Sequence, residues 1–170
     1  MHRKMEFKPA YYSQLDEIWE IIESAIASRK ADGSRQWQDG YPNKESIKND
    51  IENDYAYILS DNDAIVAYAA VIFEIEPAYE KIEGEWLTQQ PYVVIHRIAV
   101  DKNKAGKGFA TQILEHIEKL AISKNYYSLR VDTNYDNPGM LRVLDKLGYV
   151  YCGQVYFRGD ARRAYEKVLT

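Results

Sequence analysis

Residues 93–111 read Val93-Val94-Ile95-His96-Arg97-Ile98-Ala99-Val100-Asp101-Lys102-Asn103-Lys104-Ala105-Gly106-Lys107-Gly108-Phe109-Ala110-Thr111. The first eight of these residues are apolar except for His96 and Arg97, which is typical of a strand buried in a sheet. A polar loop with two glycines follows, and a helical pattern begins near Gly108. The stretch therefore predicts a buried strand, a glycine-rich turn and a helix.

The glycine-rich turn is a candidate anion site. Gly106 and Gly108 lack a Cβ, so the backbone there can turn sharply and approach a ligand closely. Consecutive N–H groups that open onto a helix N-terminus suit a pyrophosphate. Lys104 and Lys107 would add positive charge at the rim of such a site. A simpler interpretation also stays open, in which the turn lies on the surface and only begins the helix.

The pattern on either side of this stretch predicts further strands and helices. The first helix, capped by Ser13, should end before Asp32, and the second, capped by Asn43, should end near Asn53. No element is predicted for Tyr79–Gln90. Further helices are expected from about Gly108 to Lys124 and over Pro138–Leu147, and further strands at Met5–Lys8, Tyr55–Leu59, Ala64–Phe73, Ser128–Asp132, Tyr149–Phe157 and Arg163–Leu169. An early hairpin, a central β-α-β unit and an α-β-β end predict an α+β fold, a mixed α/β sandwich, and not a doubly wound parallel sheet.

Length and composition limit the classes of protein to consider. With 170 residues, the chain has the size of a single domain, residues 1–170. It contains no run of 18 apolar residues, so no membrane span is predicted. A net charge of −4 argues against broad nucleic-acid binding. Cys152 is the only cysteine, which excludes an internal disulfide and a cysteine-based zinc site, so we expect no metal and a reducing, cytoplasmic location. The sequence leaves the oligomeric state open, a homodimer included.

Two segments resemble the GCN5-related N-acetyltransferase (GNAT) family. Its signature is Arg or Gln, two residues, Gly, one residue, then Gly or Ala, and it falls here on residues 105–110, with Ala105 at the Arg or Gln position. A second segment, residues 134–149, is similar to the family's Asn-led helix that ends in a Lys-Leu-Gly-aromatic turn. The resemblance implies a central mixed, mostly antiparallel sheet flanked by helices, and acetyl-CoA as the acyl donor. It also implies cofactor contacts from Ile98, Ala99, Val100, Ala105, Gly106, Lys107, Gly108, Phe109, Ala110, Thr111, Lys146 and Asn137, the last on the pantetheine arm.

The same resemblance implies direct transfer of an acetyl group to a primary amine of a small molecule or peptide. The amine attacks the thioester carbonyl, and a backbone N–H near Ile98 stabilises the oxyanion. We predict His96 as the base, because a neutral imidazole can take a proton from an ammonium group through water. Glu74 and Glu76 are competing carboxylate bases.

The proton donor to the leaving thiolate is less evident. The family often has a tyrosine five residues before the closing aromatic, where this chain has Leu144. We predict Tyr165 as a substitute, with Tyr156 and solvent as alternatives. The missing tyrosine also favours a second hypothesis, a non-catalytic acyl-CoA-binding sensor or structural module on the same fold.

The acceptor side is expected to be aromatic. Trp37, Tyr41, Tyr79 and Trp86 are predicted to wall a substrate pocket or a cage for a cation. Each of them can equally close the core over the edge of the sheet. A nucleotide-binding Rossmann domain, suggested by Gly106, Gly108 and Asp132, is disfavoured because several residues separate Val100 from Gly106.

Overall fold

The computed structural model describes residues 4–104 and 106–170. Ala105 lies outside these ranges, so its predicted cofactor contact has no structural counterpart. The described chain contains strands β1 Met5–Pro9, β2 Ala56–Asp61, β3 Ala64–Ile72, β4 Glu83–Gly84, β5 Val93–Val100, β6 Ser128–Thr133, β7 Val150–Phe157 and β8 Asp160–Val168. Its helices are α1 Leu15–Ala31, α2 Lys44–Glu52, α3 Pro77–Glu80, α4 Phe109–Ser123 and α5 Pro138–Lys146.

The strands pair in the order β1-β2-β3-β5-β6-β8-β7-β4. The β5–β6 pair is parallel and is connected by α4, as a β-α-β unit requires. The ladders of β1–β2, β2–β3, β6–β8, β7–β8 and β4–β7 are antiparallel. The predicted fold class, a mixed and mostly antiparallel sheet with helices, is therefore confirmed.

The chain divides into two compact units. The first comprises the chain up to Val71 together with Arg97–His116, and its core joins α1, α2 and the β2–β3 hairpin. Ile18 and Ile22 from α1 and Ile47 from α2 are fully buried there, because their helical spacing places them on one face. Burial of each such side chain contributes about 1.5–3 kcal/mol of transfer free energy.

The second unit comprises Ile72–His96 and Ile117–Thr170. Its core cluster contains Tyr79, Trp86, Tyr92, Val94, Cys152, Val155 and Ala164. Cys152 is buried here as a small apolar residue, and burial raises the pKa of its thiol. Both effects keep the thiol in its unreactive, protonated form at neutral pH.

Helix starts show one correct and one wrong prediction. Asn43 caps α2 as predicted: its Oδ1 accepts from the N–H of Ser46 at 3.0 Å, and the Ser46 hydroxyl accepts from the N–H of Asn43 at 3.2 Å. The prediction that Ser13 caps α1 is wrong. Ser13 lies inside a short 3-10 turn, Tyr12–Gln14, and Gln14 occupies the N-cap position of α1. The turn forms because the Gln14 side chain accepts from the N–H of Tyr11 at 2.8 Å.

The segment without a predicted element folds into α3 and β4. Strand β4 pairs with β7 through a close approach of two glycines, Gly84 and Gly153, at φ values of 138° and 145°. A Cβ on either glycine would lie 2.2 Å from a backbone oxygen of the opposite strand. Within the described ranges, no helix has the length and apolar character needed to cross a membrane.

Candidate active site

His96 lies between two carboxylates in the second unit. Its Nε2 is 3.0 Å from Oε1 of Glu76, and its Nδ1 is 3.7 Å from Oδ2 of Asp132. The His96 and Glu76 side chains keep 15% and 21% of their surface exposed, whereas Asp132 keeps 4%. Glu76 is therefore the member of the cluster that is most exposed to solvent.

Three side chains hold this cluster in place. The Tyr79 hydroxyl donates to Oδ2 of Asp132 at 2.6 Å, and Arg162 lies 3.8 Å from Oδ1 of the same carboxylate. Phe157 packs against the imidazole edge-on, with ring centroids 5.6 Å apart. Burial, and then the charge of Asp132, raises the pKa of Tyr79 well above its ordinary value. Tyr79 thus stays a neutral donor, and it fixes Asp132 beside the histidine.

A histidine hydrogen-bonded to a glutamate can accept a proton and share it. The sequence presented His96 and Glu76 as competing bases, and the structure brings them into direct contact. Glu74 is exposed two residues earlier in the chain. The sequence offered Asp132 only as an acid at a strand end, and nothing in its local pattern indicated that it lies beside His96.

Tyr165 is not brought to His96. Asp132 on β6 pairs directly with Ala164 on β8, so the two side chains share one face of the sheet. Tyr165, the next residue, points to the other face, where its hydroxyl accepts from Nε of Arg163 at 2.9 Å. Leu144, at the family's tyrosine position, is fully buried in α5. Tyr165 and Asp132 thus lie on opposite faces of the sheet.

Arg97 interrupts the regular course of β5. Its φ is 54°, in the left-handed region that residues with a Cβ rarely adopt. Its guanidinium binds Asp50 on α2 through two hydrogen bonds, from Nε to Oδ2 at 2.8 Å and from Nη2 to Oδ1 at 2.6 Å. Neither the role of Arg97 nor the participation of Asp50 was predicted from the sequence. The available signal was that Asp50 falls on the same helical face as Ile47 and Ile51.

The glycine-rich turn lies in the first unit and is open to solvent. Gly106 and Gly108 have φ values of 80° and 79°, and a Cβ on either would meet no atom within 4 Å. Lys107 between them is exposed. Helix α4 begins directly after the turn, and its first residue, Phe109, is buried. The backbone thus has the left-handed glycines and the exposed helix N-terminus that an anion site needs.

The other predicted cofactor residues have the following surroundings. Ile98 and Ala99 are buried in β5, and the Ile98 carbonyl accepts from Nη2 of Arg29 at 3.4 Å. Asn137 caps α5, with its Oδ1 accepting from the N–H of Met140 at 3.3 Å. Lys146 is exposed in the last turn of that helix. Val100, Ala110 and Thr111 are half-buried.

The predicted acceptor residues lie mainly in the two cores. Trp37 is buried in the first unit, with the guanidinium carbon of Arg29 3.8 Å from its ring centroid. Tyr41 in the same unit accepts a short hydrogen bond from Arg97. Trp86 in the second unit donates to the Tyr79 carbonyl at 2.8 Å and lines a cavity of about 390 Å³ with Glu80, Glu85 and Arg130. Their contact with an acceptor stays a prediction.

Comparison with known proteins identifies the family. A family model for the acetyltransferase (GNAT) family matches residues 15–149. The chain belongs to the GNAT family. Proteins of this family are acyltransferases. No curated protein matches the sequence of this GNAT protein.

Solved structures agree with that assignment. An acetyltransferase of the GNAT family from Streptococcus agalactiae 2603 is 38% identical, with a TM-score of 0.89 over 98% of this chain and 96% of its own. A GNAT-family acetyltransferase from Listeria monocytogenes 4b F2365 is 19% identical, with a TM-score of 0.77 over 97% and 95% of the two chains. The yncA protein of Salmonella typhimurium, solved with its cofactor acetyl-CoA, is 15% identical, with a TM-score of 0.70 over 98% and 94%. The last two show a shared fold.

Proposed function

We propose that this GNAT protein transfers an acetyl group from acetyl-CoA to a primary amine of a small molecule or peptide. The observation that carries the proposal is the 3.0 Å hydrogen bond between His96 and Glu76. An amine acceptor arrives mostly as an ammonium ion and must lose a proton before it can attack. A histidine paired with a partly exposed glutamate supplies that function.

For the acyl donor we propose the turn at Gly106–Gly108 and the N-terminus of α4 as the pyrophosphate site. Left-handed glycines are typical of loops whose successive N–H groups face a common side, and the open space at both Cβ positions leaves room for a ligand. Lys104 and Lys107 contribute positive charge beside it. Acetyl-CoA supplies the activated acyl group as a thioester. Asn137 and Lys146 are proposed as further contacts on the family resemblance alone.

In the proposed reaction, the ammonium group gives its proton to the Glu76–His96 pair. The free amine then attacks the thioester carbonyl carbon. The carbon–sulfur bond breaks as the amide forms, the second N–H proton of the former amine passes to solvent, and the CoA thiolate leaves. The N–H of the peptide between Arg97 and Ile98 is proposed to stabilise the oxyanion that develops. Asp132, fixed by Tyr79 and Arg162, lies 3.7 Å from Nδ1 of His96 and is proposed to stabilise the positive charge that the imidazole gains with the proton.

Protonation of the thiolate is assigned to solvent. The Tyr165 hydroxyl accepts from Arg163 on the sheet face opposite Asp132, and Leu144 has no proton to give. A Tyr165→Phe variant that lost most of its turnover without losing stability would restore Tyr165 as the acid.

The acceptor is proposed to be cationic. The cavity beside Trp86 presents the carboxylates of Glu80 and Glu85 together with the guanidinium of Arg130, whose carbon lies 4.2 Å from the Trp86 ring centroid. Two carboxylates against one guanidinium leave a net negative lining, which suits an ammonium group. This arrangement favours amines that carry a second positive charge over neutral aromatic amines.

The test is release of free CoA thiol from acetyl-CoA by the purified protein with a panel of primary amines, mono- and polycationic. We expect turnover with at least one amine and a loss of about 10²–10⁴-fold in kcat/KM for His96→Gln. Binding of CoA without turnover on any amine would support the sensor hypothesis, for which Leu144 at the family's tyrosine position is the motive. Failure to bind CoA at all would remove both functions.

A further inference from the structure

Asp50 is a carboxylate buried completely within the first unit. It is 0% exposed, on the apolar face of α2 beside Ile47. It accepts two hydrogen bonds from Arg97 and one from the Tyr68 hydroxyl at 2.6 Å. A buried ion pair overcomes its desolvation only with good geometry and additional hydrogen bonds, and this carboxylate has both.

The cation of this pair is locked in its charged form. Burial by itself would lower the pKa of Arg97, but the hydrogen bonds and charge of Asp50 raise it above its ordinary value. The Tyr41 hydroxyl accepts from the same guanidinium, and burial raises the pKa of Tyr68 well above normal, so Tyr68 remains a neutral donor. Asp50 and Tyr41 therefore bind the guanidinium directly, and Tyr68 holds Asp50 in place.

The backbone conformation of Arg97 suggests what the ion pair with Asp50 does. A left-handed residue inside a strand is unfavourable for any side chain with a Cβ, and such conformations persist only where the surroundings enforce them. Irregular residues of this kind next to active sites re-aim neighbouring groups. Arg97 stands in the chain between His96 and Ile98, which carry the proposed base and the proposed oxyanion donor. The Ile98 carbonyl is itself held by Arg29.

We propose that Arg97 is a positioning residue. Its two hydrogen bonds to Asp50 hold the left-handed backbone conformation at position 97, and this conformation orients the Ile98 N–H and the His96 side chain. The proposal rests on the proposed acetyl transfer. It assigns Asp50, on α2, the task of maintaining backbone geometry in β5, and it predicts that the turn and not the arginine charge is what catalysis requires.

The test compares alanine and glycine at position 97. Removal of the arginine alone leaves a buried unpaired carboxylate and threatens folding, so both variants are made in an Asp50→Asn background. Glycine accepts the left-handed φ without strain, whereas alanine favours a regular strand. We expect Asp50→Asn/Arg97→Gly to retain about tenfold higher kcat than Asp50→Asn/Arg97→Ala, with equal affinity for CoA by calorimetry. The amide resonance of Ile98 should stay near its parental position in the glycine variant only.

A purely structural role gives equal kcat in the two folded variants and a difference only in the free energy of unfolding, because glycine also fits the left-handed φ of the folded state better than alanine does. Asp50→Asn/Ala69→Gly, at a buried position of β3, measures the unfolding penalty of a glycine inside a regular strand. Equal or higher kcat for the alanine variant overturns the positioning role while leaving acetyl transfer intact. Wild-type protein that acetylates no amine overturns the proposed function itself, and the positioning role with it.

Discussion

At the scale of single residues, Asp50 and Asp132 have the same kind of surroundings. Asp50 and Asp132 are both buried, and each accepts a hydrogen bond of 2.6 Å from a buried tyrosine, Tyr68 and Tyr79 respectively. The first binds Arg97, and the second lies beside His96. Consecutive residues of β5 are thus each paired with an anchored carboxylate, one in each compact unit. Burial of a carboxylate is unfavourable unless hydrogen-bond donors replace the water that it loses, so each tyrosine is a necessary part of the arrangement.

The apolar strand that carries His96 and Arg97 could be predicted from the sequence, but the carboxylates that these two residues bind could not. His96 stood out because it interrupts an apolar strand next to a glycine-rich turn. Asp50 is 47 positions away from Arg97 and Glu76 is 20 away from His96, and no local pattern reports contacts over such separations. The left-handed φ of Arg97 could not be predicted from the sequence either, because it depends on the residue that the side chain binds.

Glu76→Gln is the residue substitution that tests the proposed base. The amide keeps the shape of the carboxylate but cannot accept a proton, so we expect kcat/KM to fall about 10²-fold, with a smaller deficit as pH rises and more amine is already deprotonated. Glu74→Gln, two residues earlier and exposed, is the matched control. Rates measured from pH 6 to 9 with one amine decide the matter. Equal loss in the two variants would contradict a specific role for Glu76, because it would mean that the effect is one of general charge or that Glu74 acts as a base to the same extent.

At the scale of secondary structure elements, local patterns predicted most of the helices and strands, although the start of α1 at Gln14 was missed. Strand β5 has the predicted bounds, and α2 begins at the predicted cap. Strand β4 was missed because it exists only through the approach of Gly84 to Gly153, 69 positions apart in the printed sequence. A strand of two residues is too short to show a hydrophobic periodicity, so β4 can be recognised only from its pairing with β7.

Gly153→Ala should separate β4 from β7. The added Cβ would lie 2.2 Å from the carbonyl oxygen of Glu83, and the φ of 145° is unsuitable for alanine. We expect a loss of roughly 2–3 kcal/mol in the free energy of unfolding, measured with urea. Gly33→Ala is the control, because Gly33 also has a positive φ but its Cβ would meet no atom within 4 Å. A loss no greater than in the control would show that the strands simply move apart.

Asn43→Ala tests the start of α2, the helix that presents Asp50. Removal of the side-chain oxygen leaves the N–H of Ser46 without its cap, and we expect a loss of about 1 kcal/mol in unfolding free energy. Asn43→Asp retains an acceptor and should retain the stability. If alanine and aspartate behave alike in urea unfolding, the hydrogen bond to Ser46 does not stabilise the helix.

At the scale of the whole molecule, both compact units depend on a tyrosine that stays neutral. The chain has 15 tyrosines, and burial raises the pKa of Tyr68 and of Tyr79 well above the ordinary value near 10. In the unfolded chain both phenols ionise from about pH 10 upward, whereas in the folded protein they remain protonated. The unfolded state then binds fewer protons than the folded state. Their contribution to stability is therefore complete below pH 10 and is lost as the pH rises beyond it.

Alkaline unfolding should accordingly be steep, and each of these two tyrosines should carry a measurable part of the slope. Above about pH 10, one tyrosine that ionises only on unfolding lowers the unfolding free energy by about 1.4 kcal/mol per pH unit. Tyr79→Phe is expected to be less stable than the parent at pH 8, since it loses the bond to Asp132, yet its stability should fall less steeply between pH 10 and 11. Tyr12→Phe, at a site 57% exposed, is the surface control. Parallel stability curves for the parent and Tyr79→Phe above pH 10 would mean that Tyr79 titrates in the folded protein as it does in the unfolded chain, and that Asp132 is not held by a neutral phenol.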